Sequence, residues 1–194
     1  MDKKKIGANT YLYPMPTTIV GAQVNGKANF ITIAYCGIVQ HKPPLVAVSL
    51  GKVHYTNIGI KENKAFSVNI PSEDMVEITD FIGMKSGKAI DKSRLFNVFY
   101  GELKTAPMIE EAPLNLECKL IEVLDFGGMS EIFLGEIIQT YARERILTDG
   151  LPDIRKLKPI IFSMHDNNYW KVGEHIGKAW FIGSSFNSGA EGET

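Results

Sequence analysis

The chain has 194 residues, 44% of them apolar and 22% charged, with 21 basic against 22 acidic side chains and a net charge of −1. That is enough chain to bury one core without disulfides, and its composition lies far from the disordered regime. The even charge excludes a basic field for nucleic acid or an anionic membrane. The absence of any run near ~18 apolar residues, or of a secretory apolar segment, predicts a soluble cytoplasmic protein.

Residues 17–24 and 28–33 are β-rich runs separated by Asn25-Gly26-Lys27, the strongest short hairpin signal. Leu45-Val46-Ala47-Val48-Ser49-Leu50 follows Pro43-Pro44 and reads as a strand buried on both faces. Thr56 is placed to cap a short helix running through Lys64, and residues 65–70 return to a strand stopped by Pro71. Ser72 is placed to cap a second helix with Met75, Ile78, Thr79 and Ile82 at helical spacing. Gly83 stands where that helix would end in a left-handed residue.

Leu114, Leu116, Cys118 and Leu120 alternate with Asn115, Glu117 and Lys119, which predicts one dry and one wet face. Gly127-Gly128 turns this strand into residues 132–138, and Ile160-Ile161-Phe162 gives another strand. A Gly- and Ser-rich tail, mobile over about residues 184–194, completes a single domain, 1–194. Many short strands with two helices among them predict a mainly β barrel with helical insertions.

Common chemical motifs are missing. No G-x-G-x-x-G follows a strand, and the run from Gly83 to Ala89 departs from a P-loop in its spacing and in its last residue. His41, His54, His165 and His175 have no i, i+4 partner. Cys36 and Cys118 lack C-x-x-C spacing, so neither a metal site nor a dithiol is predicted. No G-x-S-x-G elbow is present. One segment stands out: residues 29–57 put small and hydroxylic Thr32, Ala34, Cys36, Ser49 and Thr56 at the ends of adjacent strands, and Lys52, His54, Tyr55 and Thr56 stand just before a helix, whose first amides carry a partial positive charge. On the residues alone this is either a phosphate cradle or a solvated loop with a capping threonine.

The runs Ala28-Asn29-Phe30-Ile31-Thr32-Ile33-Ala34, Pro43 through Leu50, and Lys52-Val53-His54-Tyr55-Thr56-Asn57-Ile58 resemble the flavin reductase-like FMN-binding split-barrel family. Phe133-Leu134-Gly135-Glu136-Ile137, Tyr169-Trp170 and Gly173-Glu174-His175-Ile176-Gly177 are similar to its flavoredoxin branch. The likeness spans about residues 11–183 through the order and spacing of these blocks.

The resemblance implies an FMN-binding split β-barrel. It sets the flavin ring against the strand end formed by Asn29, Phe30, Ile31, Thr32, Ala34, Tyr35 and Cys36. It sets the phosphate near Ser49, Leu50, Lys52, Tyr55 and Thr56, with Phe81, Gly83, Lys88 and Lys92 as further walls. Tyr169 and Trp170 would either cover the flavin from a homodimer partner or serve as core. The implied activity is electron transfer between a low-potential donor, such as a ferredoxin, and an acceptor, with no side chain acting as acid, base or nucleophile. The alternatives are an NAD(P)H-dependent flavin or ferric-chelate reductase and a flavin-binding protein without turnover. NAD(P)H-using members carry a Gly-Asp-His triplet where this chain has Gly128-Met129-Ser130, which points to a protein donor.

Overall fold

A computed structural model describes residues 2–186; most of the tail expected to be mobile, from residue 187 on, lies outside the described residues. Strands β1 (Thr18–Val24) and β2 (Lys27–Ile33) form the predicted hairpin. Asn25 and Gly26 take the two positive φ angles that a tight hairpin turn demands. Next come β3 (Cys36–Gln40), β4 (Leu45–Gly51), helix α1 (Thr56–Asn63), β5 (Ala65–Ile70) and helix α2 (Val76–Met84). After a long connection the chain adds β6 (Leu114–Leu124) and β7 (Ser130–Ala142), then the small hairpin β8 (Ile161–Ser163) and β9 (Asn168–Trp170).

The main sheet has the order β2-β1-β5-β6-β7-β4-β3, every pair antiparallel. Its two edge strands, β2 and β3, are consecutive in the chain and joined only by Ala34 and Tyr35. Two residues cannot cross a flat seven-stranded sheet whose strands lie ~4.8 Å apart, so the sheet curls until its edges meet. The Ser49 amide donates to the Tyr35 carbonyl at 2.9 Å and fixes the joint against β4. The result is a barrel split between β2 and β3. Its interior is filled by Val20, Ile31, Val46, Val48, Leu50, Phe66, Cys118 and Phe133. A second core, with Ile19, Phe30, Ile82, Phe96 and Ile109, lies on the outer face of β1 and β2 beneath α2.

Four local expectations change. β4 alternates, with Val46, Val48 and Leu50 buried while Leu45, Ala47 and Ser49 are half-buried, because only one face meets the barrel core. Thr56 is the first residue of α1 and not its cap, since its hydroxyl accepts a bond from the Asn29 amide. Ser72 makes no capping bond either; its hydroxyl bonds to Asp74. Gly83 lies inside α2 without a positive φ. A β-carbon there would stand 3.2 Å from Thr32 Cβ, so its smallness lets α2 press onto β2.

The expected wet face of β6 is dry at its first half. Asn115 and Glu117 are buried beneath residues 99–113, which cross the outside of the sheet. Asn115 Nδ2 donates to Asn69 Oδ1 at 2.8 Å and to the Ile109 carbonyl at 3.0 Å. Glu117 accepts from the amides of Glu102 and Leu103 at 3.1 and 2.8 Å and from the Tyr141 hydroxyl at 3.1 Å. Two polar side chains that alternate with leucines therefore anchor a loop rather than face water.

Candidate functional site

The site is built on the open edge of β2. In an antiparallel strand the N–H and C=O of one residue point the same way, and successive residues alternate. The Ile33 carbonyl receives the Thr18 hydroxyl on the β1 side, whereas the Phe30 carbonyl receives Lys92 Nζ on the other. The main-chain groups of Phe30 and Thr32 therefore face away from the sheet, into the split.

Lys92 is the most informative residue there. Its side chain is 3% exposed, and Nζ donates to the carbonyls of Phe30 at 2.8 Å and Ile82 at 2.7 Å, tying β2 to α2. An ammonium has three donors, so one remains free. Among the described residues no carboxylate forms an ion pair with it. The neighbouring Asp91 is engaged by Lys27, Arg94 and Ser93. Burial without a counter-ion lowers the Lys92 pKa to about 8. His54 is held below its ordinary value by burial and by the Lys92 ammonium.

Four buried side-chain atoms have no hydrogen-bond partner among the described residues: Thr17 Oγ1, His54 Nδ1, Asn57 Oδ1 and Thr79 Oγ1. Thr17 and Thr79 flank the end of β2, Thr79 beside Thr32, whereas Asn57 lies beside Gly51 and Glu131 at the end of β4. Buried polar atoms are bonded in the great majority of cases, so the Thr17 and Thr79 hydroxyls mark a place at that end of β2 where a ligand can complete the bonding.

Two cavities meet at Ala34. One, of about 320 Å³, lies between the end of β2, α2 and the β8–β9 hairpin, with Thr17, Thr32, Asp80, Gly83 and Tyr169 in its walls. Tyr169 donates to Asp80 Oδ1 at 2.9 Å, and burial followed by the Asp80 carboxylate pushes its phenol up to about 12. The other, of about 450 Å³, lies on the β3 side and contains Tyr35, Cys36, Ala47 and Ser49. Burial holds the Cys36 thiol neutral, with its pKa up at about 11.

The sequence-derived residues divide accordingly. Thr32, Ala34, Tyr35, Cys36, Ser49, Gly83 and Tyr169 line the two cavities. Phe30, Ile31 and Leu50 have core side chains and can offer a ligand only main-chain atoms. Asn29 and Thr56 bond to each other at 2.7 Å, and the Tyr55 hydroxyl accepts from Asn25. Lys52 and Lys92 line neither cavity; Lys52 pairs with Asp125 at 2.7 Å, since β4 ends beside the β6–β7 turn, and Lys92 is buried against the Phe30 and Ile82 carbonyls. Phe81 and Lys88 are outside both cavities, with Phe81 partly exposed and Lys88 on the connection between α2 and Lys92. Trp170 is largely exposed and donates to Ser163 Oγ, so it is not core. Thr17, Thr79 and Asp80 carried no signal in the sequence, because each is an ordinary strand-end or helix residue until the fold aligns it.

Comparisons with known proteins give the family. Residues 10–159 match the model of the flavin reductase like domain. The chain belongs to the flavin reductase-like family. The flavoredoxin of Methanosarcina acetivorans is 49% identical, with 95% of this chain and 99% of that one covered and a TM-score of 0.92. The flavoredoxin of Desulfovibrio vulgaris (Miyazaki F) is 38% identical, with 93% and 99% covered and a TM-score of 0.86. An uncharacterised protein of Archaeoglobus fulgidus is 30% identical over 79% of this chain and 86% of its own length. Within the family this chain stands close to the flavoredoxins, and the fold is the expected split barrel.

Proposed function

We propose that this flavin reductase-like protein binds FMN along the open edge of β2 and serves as a flavoredoxin-like electron-transfer flavoprotein. The observation that carries the reading is the buried, uncompensated Lys92 ammonium beside that edge. Removing a cation from water without a counter-charge is costly, and a bound anion offsets the cost. A flavin phosphate is such an anion. Two solved relatives at 49% and 38% identity are flavoredoxins, which supports the same cofactor here.

FMN, when bound, would supply the redox chemistry, taking up and releasing electrons at its ring. The chain's own residues do the rest. Lys92 and the orphaned His54 Nδ1 would hold the phosphate end, and the outward N–H of Thr32 would serve the ring, where a donor stabilises the charge gained on reduction. Gly83 lets α2 press onto β2 at Thr32. Exposed Ile38 and Val39 on edge strand β3 favour a two-fold dimer, which light scattering would report as twice 21.5 kDa.

The donor reading follows from the turn at Gly128-Met129-Ser130. The Met129 carbonyl accepts the Lys52 amide at 2.9 Å, so the turn borders the end of β4, but it presents no imidazole to a nicotinamide nucleotide. An anaerobic stopped-flow comparison on the yellow holoprotein tests both parts. Slow bleaching by NADH and NADPH with ready bleaching by a reduced ferredoxin is the expected outcome. Bleaching by either nucleotide at tens per second, an ordinary turnover rate, would make the protein a reductase. A colourless protein that takes up no added FMN would remove the proposal altogether.

A further inference from the structure

Beyond Trp170 the chain leaves the sheet as an arm rich in exposed apolar side chains. Ile176, Trp180, Phe181, Ile182 and Phe186 all lie in water, and Trp180 is fully exposed. Among the described residues the main-chain bonds of this stretch are local: the amides of Phe181 and Ile182 donate to the Lys178 carbonyl, and that of Phe186 to the Gly183 carbonyl. Its shape is defined all the same. A β-carbon at Gly177 would collide with Ile182 Cδ1, so the bare glycine lets Ile182 fold back and makes a hook with Trp180 at its tip. Trp180 takes a φ of 60°, the left-handed region that bulky residues rarely enter. Three aromatic rings and two isoleucines leave on the order of 700 Å² of apolar surface in water, above the ~300–600 Å² of a typical monomer's largest patch. That area approaches the ~800 Å² per partner of a stable interface.

A groove suited to such a tip lies at the same end of the molecule. It encloses about 660 Å³ between residues 148–155 and the root of the arm, residues 172–177. Leu151, Ile154 and Ile176 give it apolar walls that are themselves largely exposed, and the Asp153–Arg155 pair, Glu174 and His175 stand among them. Glu174 offers an acceptor for an indole N–H, which a buried tryptophan needs. Trp180 stays in water and does not enter the groove of its own chain. A two-fold interface sets one patch against itself, so a chain that bears knob and groove side by side closes on its own copy and buries both twice. We infer that residues 176–186 clasp a second copy of this chain, with Trp180 and Phe181 of each copy entering the groove of the other. The inference rests on the dimer reading above, which drew only on the β3 edge. It gives the Gly173-Glu174-His175-Ile176-Gly177 block a role, setting the hook and forming one wall of the groove.

The test uses the full chain after incubation with FMN, and follows dissociation of the dimer by light scattering and sedimentation over a dilution series. The parent should be a dimer of twice 21.5 kDa at micromolar concentration. Trp180→Glu combined with Phe181→Glu should raise the dimer dissociation constant at least thirtyfold, the ~2 kcal/mol of an interface hot spot. Leu151→Glu, on the groove side, should weaken the dimer in the same sense. All three side chains face water in the single chain, so the substitutions spare its core, and circular dichroism checks the fold. The chain has two tryptophans, so Trp170→Phe makes the emission of Trp180 a reporter of the arm. Iodide should quench that emission weakly in the dimer and strongly after dilution. Equal quenching in both states overturns the inference without any arm variant. An unchanged dissociation constant in the folded Trp180→Glu, Phe181→Glu protein also overturns it and leaves the β3 dimer standing. A monomeric parent strikes the dimer reading and this inference together, whereas a colourless dimer strikes the flavin proposal alone.

Discussion

Two buried polar clusters flank β1, and they differ in whether their bonds are closed. On the outer face of the sheet, Ser67, Asn69, Asn115 and Glu117 bond to one another and to the loop that covers them. Asn69 Nδ2 donates to the Ile19 carbonyl and to Ser67 Oγ, both at 2.9 Å, and Asn69 Oδ1 accepts from the Ile109 amide at 3.0 Å. None of these four appears among the unpartnered atoms. Around the open edge of β2, by contrast, Lys92 keeps a donor free, and the Thr17 and Thr79 hydroxyls lack a partner among the described residues. Satisfied buried polarity specifies one packing, and unsatisfied buried polarity waits for a ligand. Burial alone therefore does not separate structural from functional polar residues; the bonds left over do.

The comparison breaks first at Glu117. Glu117→Leu should lower the stability of the protein by about 3 kcal/mol, because two amides and the Tyr141 hydroxyl lose their acceptor beneath the loop. The FMN affinity of the folded fraction should stay as it was. Denaturant unfolding and flavin titration on the same variant separate the two readouts. Lys92→Met should do the reverse. Losing one charge-assisted bond, worth about 1.5–3 kcal/mol, raises the FMN dissociation constant roughly 10- to 150-fold and riboflavin's much less. The stability of the flavin-free variant should change little, because relief of the buried charge is set against the loss of the two bonds to the Phe30 and Ile82 carbonyls. Lost stability with unchanged FMN affinity would make Lys92 a clamp between β2 and α2 and nothing more.

The two clusters were unequally legible in the sequence. The hairpin at Asn25-Gly26, the strand at residues 65–70 and the period-two pattern of β6 follow from local chemistry, and they survive in the fold. The roles of Asn115 and Glu117 do not follow. A strand's alternation distinguishes its two faces, yet what covers the second face is decided by residues 99–113, a connection with little regular structure. Thr32, Ala34 and Cys36 stood out in the sequence as small or hydroxylic residues at a strand end, but residues 28–36 were visible as the seat of a flavin ring only through the family resemblance, which also singled out Lys92. Nothing local to Lys92 says that its side chain turns inward, because that depends on where the carbonyls of Phe30 and Ile82 arrive. Lys52 looked stronger, standing four residues before the first residue of a helix, until β6 and β7 brought Asp125 to it.

A smaller effect sharpens the contrast through pH. The folded-state pKa of Lys92 is lowered from 10.5 to about 8, so below 8 both folded and unfolded chains hold the proton. Between about 8 and 10.5 the unfolded chain binds more protons than the folded one, and the stability of flavin-free protein should rise with pH through that window. The FMN affinity should move the other way. The ammonium is lost as pH passes 8 in the flavin-free state, and the dissociation constant should climb by up to about tenfold per unit. In Lys92→Met both slopes should flatten. Opposite slopes for stability and affinity in one protein are the signature of a buried cation that its ligand neutralises. Glu117, closed on itself within the chain, gives no reason for such a pair.

The smallest effect belongs to Lys52, and it decides which cation the ligand uses. Its side chain is 38% exposed, and its ammonium sits 2.7 Å from the carboxylate of Asp125, whose side chain is 45% exposed. An exposed pair of this kind contributes about 0–1 kcal/mol, so Lys52→Ala should leave stability within that range. Its pull on a phosphate is already screened by Asp125 and by water. The FMN dissociation constant should therefore rise no more than roughly fivefold, at the 1 kcal/mol scale, and the change should fade as salt is added. A parallel titration with Lys92→Met ranks the two. If Lys52→Ala costs more than Lys92→Met, and costs FMN far more than riboflavin, then the ligand takes Lys52 away from Asp125. The phosphate would then lie at the end of β4, and the open edge of β2 would hold the ring alone.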